Sequence, residues 1–202
     1  MLLRSLLLLT LAALVWSGIA PKDRFTWFLE IAPVLIALPL LLATWKRFPF
    51  TTLACFLMSI HAVILMVGGH YTYAEMPLFN WLRDAYHLSR NHYDRLGHLA
   101  QGFVPAIVAR EILLRRSPLE PGKWLFFLVT CVCLAISASY ELIEWRVAVA
   151  SGDGAVAFLA TQGDVWDTQW DMFFALLGAL SSQLLLSRWH DRQLAALPTE
   201  SK

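Results

Sequence analysis

Apolar residues run through this chain in long blocks, and polar residues gather at the ends of those blocks. Six blocks are long enough to cross a hydrocarbon core, which needs about 20 mostly apolar residues in helical form. They run from Leu2 to Ala20, Trp27 to Trp45, Phe50 to Gly69, Leu96 to Leu114, Trp124 to Trp145 and Trp170 to Trp189. The pattern predicts an all-α, polytopic membrane bundle of about six transmembrane helices, a single integral membrane domain over residues 1–202. Tryptophan stands at or near many block ends, where its amphipathic ring suits the headgroup region.

Composition supports that reading. Hydrophobic residues make up 58% of the 202, charged residues 15%, and mean hydropathy is +0.56, against roughly 45 to 50% apolar content in soluble domains. Lysine and arginine set the orientation, because cytoplasmic loops retain them. With the N-terminus inside, the inner face holds nine basic residues against three acids, and the outer face six against eleven. That bias predicts N-in, C-in. The first block has a second reading as a signal peptide, since Arg4, a leucine run and Ser17-Gly18-Ile19-Ala20 resemble one, although Pro21 after the candidate cleavage site counts against it. The remaining topology is the same either way. Cys55, Cys131 and Cys133 all lie inside apolar blocks and read as ordinary core thiols.

Two connections are long, Gly69 to Arg95 and Arg146 to Gln169, and both fall on the predicted outer side. Long loops on a compact scaffold tend to carry function. Their aromatic and charged content predicts that they fold onto the bundle, partly as interfacial helix.

The polar residues can be placed on this frame. Asp94 and His98, four apart, share a helical face at the start of the fourth span, and Glu141 and Glu144, three apart, share one near the end of the fifth. Asp164, Asp167 and Asp171 share another at the start of the sixth. His70 leaves the third. Because the chain alternates direction, all these ends meet at the outer surface. Acidic groups are costly at membrane depth and rare without a function, so the convergence marks a candidate site. Carboxylates with a few imidazoles suit magnesium, manganese or zinc, and helix bundles recruit such ligands from facing helices. The candidate catalytic residues are Asp94, His98, Glu141, Glu144, Asp167 and Asp171. The candidate metal ligands are the same six with His70, and Arg95, Gln162 and Gln169 are placed to orient substrate. A bound divalent metal would lower the pKa of water and present hydroxide to an ester or phosphoester. Without one, crowded carboxylates would share protons and suit acid or base chemistry.

Simpler readings compete for single residues. Asp94, Asp164 and Asp167 can cap or precede helix starts. Glu141 and Glu144 can pair with Arg95 or Arg146. His61, near the middle of the third span, reads as a hydrogen-bonded core histidine, while His87 and His92 read as solvated loop residues. A haem between His70 and His98 lacks any attachment motif. Arg110 and Glu111 lie toward the inner end and read as a local structural pair. Gly178 and Ala179, with Ala175 and Ser182, form a small-residue stripe that permits close helix contact.

Four strings, NHYDRLGH with QGFVPAIVARE, then SASYELIEW and AFLATQGDVWDTQWDMFFALLGA, resemble the YjdF-like bacterial inner-membrane proteins over most of the chain. That resemblance implies a small multi-pass protein of the bacterial inner (cytoplasmic) membrane and brings no activity with it. A more distant similarity is to VanZ-like membrane proteins, associated with glycopeptide-antibiotic resistance. Their pattern has Asp and His four apart, a later Glu, then Asp before an Asn and Gly. Asp94 and His98 match it, Glu141 or Glu144 can match, and Asp171 precedes Gly178, but Ala175 stands at the Asn position.

Two functions follow from different classes. One is a metal-dependent membrane hydrolase or transferase acting at the outer leaflet on a lipid or lipid-linked substrate. The other is a nonenzymatic membrane protein, a small transporter or envelope factor, whose cluster is an ion-pair network or proton site. A compact ligand shell with open donors favours the first; pairing with Arg83, Arg90, Arg95 and Arg146 favours the second, and a polar path to Arg110 and Glu111 would mark a transporter. No GxxxxGK[ST], dinucleotide fingerprint or HExxH occurs. Membrane lipids are the expected partners, and no nucleic acid is, since the basic clusters are small inner-loop pairs that topology explains.

Overall fold

The computed structural model describes residues 1–151 and 156–197, so Asp153, Glu200 and Lys202 of the charge count, and part of the second long connection, lie outside the described residues. The described residues form helices only: α1 (Leu2–Ser17), α2 (Arg24–Thr44), α3 (Thr52–Tyr71), a 3₁₀ turn (Tyr73–Glu75), α4 (Pro77–Ala85), α5 (Tyr93–Arg116), α6 (Lys123–Ser151), α7 (Val156–Leu159) and α8 (Asp167–Ala195). Local chemistry sets several of the boundaries. Asp23 caps α2 by accepting the Thr26 amide hydrogen at 2.6 Å, a bond that holds its carboxyl below the usual range, and Thr51 caps α3 through the Ala54 amide. Pro77 opens α4 at a position that needs no amide hydrogen.

Four helices, α2, α3, α6 and α8, are long and apolar enough to cross a membrane. The two remaining predicted spans fall short for different reasons. Helix α1 has only 16 residues. Helix α5 has 24 but carries Asp94, Arg95, Arg110, Glu111, Arg115 and Arg116. Packing resolves the apparent conflict for α5. It is the central helix, in contact with α3, α6 and α8, and it buries both ends of its polar content, Asp94 and His98 at one end and Arg110 and Glu111 at the other. A polar helix is tolerated among apolar ones where its polar groups face protein.

The helices group in two sets of three, with α1 and α2 on α3 and with α6 and α8 on α5, and contact between α3 and α5 joins the sets. The closest approach is between α5 and α8. A Cβ on Gly102 would sit 1.8 Å from the Ala175 carbonyl oxygen, and one on Gly178 would sit 2.1 Å from that of Leu99. Backbone meets backbone, as the small-residue stripe predicts. The first long connection does fold as helix: α4 lays Phe79 against Tyr93, ring centroids 5.2 Å apart, and leaves Leu78 and Trp81 exposed.

The pair expected between Arg110 and Glu111 does not form. Neighbours on a helix point apart, and each residue turns to another element. Arg110 donates to His190 Nδ1 at 3.1 Å and pairs with Asp191 at 2.7 Å. The other nitrogen of His190 therefore donates to Glu111, at 3.0 Å. Glu111 also accepts from the Thr51 backbone and hydroxyl and pairs with Arg115. This knot ties α3, α5 and α8 together at the end of the bundle where α3 begins.

Gly178→Ala and Gly102→Ala are each expected to lower stability by about 2 kcal/mol or more, through overpacking against unyielding backbone. Gly122→Ala, where the nearest atom is 4.0 Å away, serves as a neutral control. Thermal unfolding of the detergent-purified variants measures all three.

Candidate functional site

Close contact between α5 and α8 brings one face of each together near the N-terminal ends of both helices. Asp94, His98 and Asp171, all buried, place one donor atom each within 4.8 Å of the other two. His98 Nε2 lies 3.5 Å from Asp94 Oδ1 and 3.9 Å from Asp171 Oδ2. Its Nδ1 lies 3.1 Å from Gln101 Oε1 and 3.7 Å from Glu141 Oε1. An amide oxygen only accepts, so Nδ1 carries the hydrogen it donates to Gln101. Nε2 then faces two carboxylate oxygens, and that arrangement is repulsive unless a proton or a cation stands between them.

Two further oxygens are open. Asp171 Oδ1 and Glu141 Oε1 are buried and accept no hydrogen bond from any described residue, a condition that is costly for a carboxylate. Glu144, partly exposed one turn along α6, is within electrostatic range of His98. Sequence reasoning passed over one member of this group. Glu30, buried in α2, lies in electrostatic range of Asp94 and His98 and is hydrogen-bonded by Tyr73. Its signal was a carboxylate inside an apolar block, one turn before Pro33.

The outer part of the cluster is neutralised by arginine. Arg90, only 5% exposed, pairs with Asp167, reaches Asp164 at 3.5 Å and Asp94 at 3.6 Å, and donates to the Ala160 carbonyl at 3.2 Å. Burial opposes its charge, but the Asp167 hydrogen bond and the charges of Asp167, Asp94 and Asp171 override it and raise its pKa. Beside it, burial and then the charges of Arg95 and Arg90 lower the pKa of His92, which stays neutral at pH 7. Asp167, expected among the catalytic and metal-binding residues, thus serves an ion pair.

The other expected residues divide similarly. Arg95 pairs with Asp164 at 3.0 Å and lies over the Trp170 ring at 5.2 Å. Gln162 uses both ends of its amide on the Asn91 backbone, each at 2.9 Å, which makes it a latch between the two long connections. Ala160 and Gln162 both hold positive φ of 49°, a strained conformation for these residues that persists only when neighbours enforce it; here Arg90 and Asn91 do. Gln169 is exposed on α8. His70 turns away to α1, with Nδ1 3.0 Å from the Ser17 carbonyl and its ring stacked on Trp16 at 4.5 Å. It makes no contact with His98, so a haem between the two has no support. His61 departs from its expected state, since its Nε2 is buried with no hydrogen-bond partner among the described residues. Asn91 was missed altogether. It is fully buried, with its amide bonded to the Met76 carbonyl and to Asn80.

The comparisons with known proteins agree with the architecture. A family model described as predicted membrane protein (DUF2238) matches residues 2–192. The inner membrane protein YjdF of Escherichia coli (strain K12) is 56% identical over 190 residues, which is 94% of this chain and 90% of the relative. No solved structure matches.

Arg90→Gln is expected to destabilise the protein by about 3 to 5 kcal/mol, because it strands buried carboxylates without their cation. Arg90→Lys restores the charge but not the planar fork that spans several acceptors, and should recover only part of the loss. Melting temperatures of the two variants decide this.

Proposed function

This chain belongs to the DUF2238 family of predicted membrane proteins, and on that premise we propose that it is a six-span, N-in and C-in protein of the bacterial inner membrane with a divalent-cation site at its outer end. Its 56% identity to an inner membrane protein supports the location. The charge bias supports the orientation, and the sheltered position of α5 supports counting it as a span although its polar content is high. Exposed Trp145, Trp166 and Trp170 fit an aromatic belt at the level of the site.

One observation carries the site: His98 Nε2 faces both Asp94 Oδ1, at 3.5 Å, and Asp171 Oδ2, at 3.9 Å, while Nδ1 is engaged by Gln101. Two donors each about 2.1 Å from a tetrahedral zinc stand about 3.4 Å apart, so the spacing suits one ion. The open oxygen of Asp171 would complete its shell or hold water, and that of Glu141, on the Nδ1 side of the ring, lies outside the set of close donors. Gln101 orients the imidazole from behind, as a metal-bound histidine requires. The chemistry that fits is metal-assisted hydrolysis or group transfer on a lipid or lipid-linked ester or phosphoester, with Glu144 or Glu30 placed to exchange protons with bound water.

A proton site is the second reading, because a proton on Nε2 satisfies the same geometry. Transport has less support. Between the carboxylate cluster and the Glu111 knot the buried residues are apolar (Ala106, Val129, Cys133, Ala179) or uncharged (Ser137, Ser182, Gln183), and among the described residues no titratable chain of groups links the two.

Elemental analysis of the detergent-purified full chain tests the metal directly. Near-stoichiometric zinc, manganese or magnesium is expected, with affinity reduced by more than roughly tenfold in His98→Gln and Asp171→Asn. Failure of all three metals to bind or to raise the melting temperature of the wild type would leave His98 as an imidazolium and sink the metal site.

A further inference from the structure

A cavity lies away from the carboxylates, in the other set of helices. Helices α1 and α2 each pack along α3 but barely touch one another. They meet at one end only, where Trp27 Nε1 donates to Ser17 Oγ at 3.1 Å and Gly18 abuts the Trp27 ring. Beyond that clasp, toward the end of the bundle that holds Met1, a space lies between them, and α2 carries Pro33 and Pro39 along it, residues that each leave a helical carbonyl without its amide partner. The space is a crevice of about 770 Å³, floored by α3 and reaching from Met1 and Trp45 to Pro33, His61 and Leu65.

Its walls are mostly apolar, among them Leu6, Leu38, Leu41, Met58 and Ala62, with Thr10, Thr52 and Ser59 interspersed, and its volume falls in the roughly 300 to 1,000 Å³ range of ligand clefts. The mouth carries opposite chemistry. Arg4 lines it, Lys46 follows Trp45 there, and both are exposed with no acidic partner among the described residues. A long apolar slot with unpaired cations at one end is complementary to one kind of molecule.

We propose that this crevice binds one acyl chain of an anionic phospholipid from the leaflet that holds the N-terminus, with the lipid phosphate against Arg4 and Lys46. The site is independent of the carboxylate cluster and stands whether or not that cluster binds metal. Hydrocarbon satisfies the crevice walls, which expose nothing that needs a polar partner along most of their length. His61 Nε2, buried and unpartnered, marks the far end. The mouth selects charge, since each cation near a membrane surface contributes about 1 kcal/mol toward an anionic headgroup.

The test uses the full chain in phosphatidylcholine nanodiscs doped with phosphatidylglycerol that carries a photoreactive group at the end of one acyl chain, followed by peptide mapping. Label is expected to concentrate on α3 between Cys55 and Ala62, several-fold above the lipid-facing Leu184 and Leu185 of α8. Ala37→Trp and, separately, Ser59→Phe fill the slot and should abolish the enrichment. Arg4→Gln should lower the advantage of phosphatidylglycerol over phosphatidylcholine about fivefold while leaving chain labelling in place. Equal labelling of α3 and α8 in the wild type, or crosslinks in the crevice to a second copy of the chain in place of lipid, would overturn the proposal.

Discussion

Everything at the outer end depends on how closely α5 approaches α8. Gly102 meets the Ala175 carbonyl and Gly178 meets the Leu99 carbonyl with no room for a methyl group on either side. In lipid this contact gains nothing from hiding apolar surface, since acyl tails are as apolar as leucine, so packing density and polar contacts must hold the helices together. The glycine crossing supplies the first, and the Arg90 and Glu111 networks supply the second at its two ends. The crossing also sets the site. Asp94 and His98 lie one to two turns from Gly102, and Asp171 about two turns from Gly178, so a wider separation of the helices would pull Asp171 out of reach of His98. The stability of the helix pair and the geometry of the donors are therefore one property.

Much of this was legible because period and polarity agree. Asp94 with His98 at a spacing of four, Asp167 with Asp171 at four, and a stripe of small residues on the same helix point to one face each, and chain alternation brings the faces to one depth. What a sequence does not encode locally is which donors an arginine will claim. Arg90 stands four residues before Asp94 and was one of four arginines that could pair with the cluster, but its spacing does not reveal that it also takes Asp167 and part of Asp164, which lie on another helix and its approach. His70 shares the depth of the cluster but points the other way around α3, toward Trp16. Helical depth follows from counting residues, whereas azimuth depends on packing that only the assembled bundle reveals. Glu30 was missed for the opposite reason: it sits within an apolar block whose polar content looked negligible, and only the docking of α2 against α3 brings it toward His98.

Charge around His98 makes the strongest physical demand in the molecule. Asp94, Asp171, Glu141, Glu144 and Glu30 all lie in its electrostatic surroundings, while Arg90 and Arg95 are engaged chiefly with Asp167 and Asp164 on the outer rim. Even a protonated His98 would offset one of those negative charges. Isolated charge in a low-dielectric setting is too expensive to persist, and the group takes up protons or a cation until the balance is restored. Several protons or one divalent ion achieve that. The two solutions differ in reach: a shared proton lies between two atoms, whereas an ion gathers three or more donors about one point. Asp94 Oδ1, Asp171 Oδ2 and His98 Nε2 do converge, on a spacing near that of a tetrahedral shell, and Gln101 turns the imidazole so that a lone pair faces inward. A single proton on Nε2 would serve one or two of these oxygens, whereas the proposed ion would use all three donors at once.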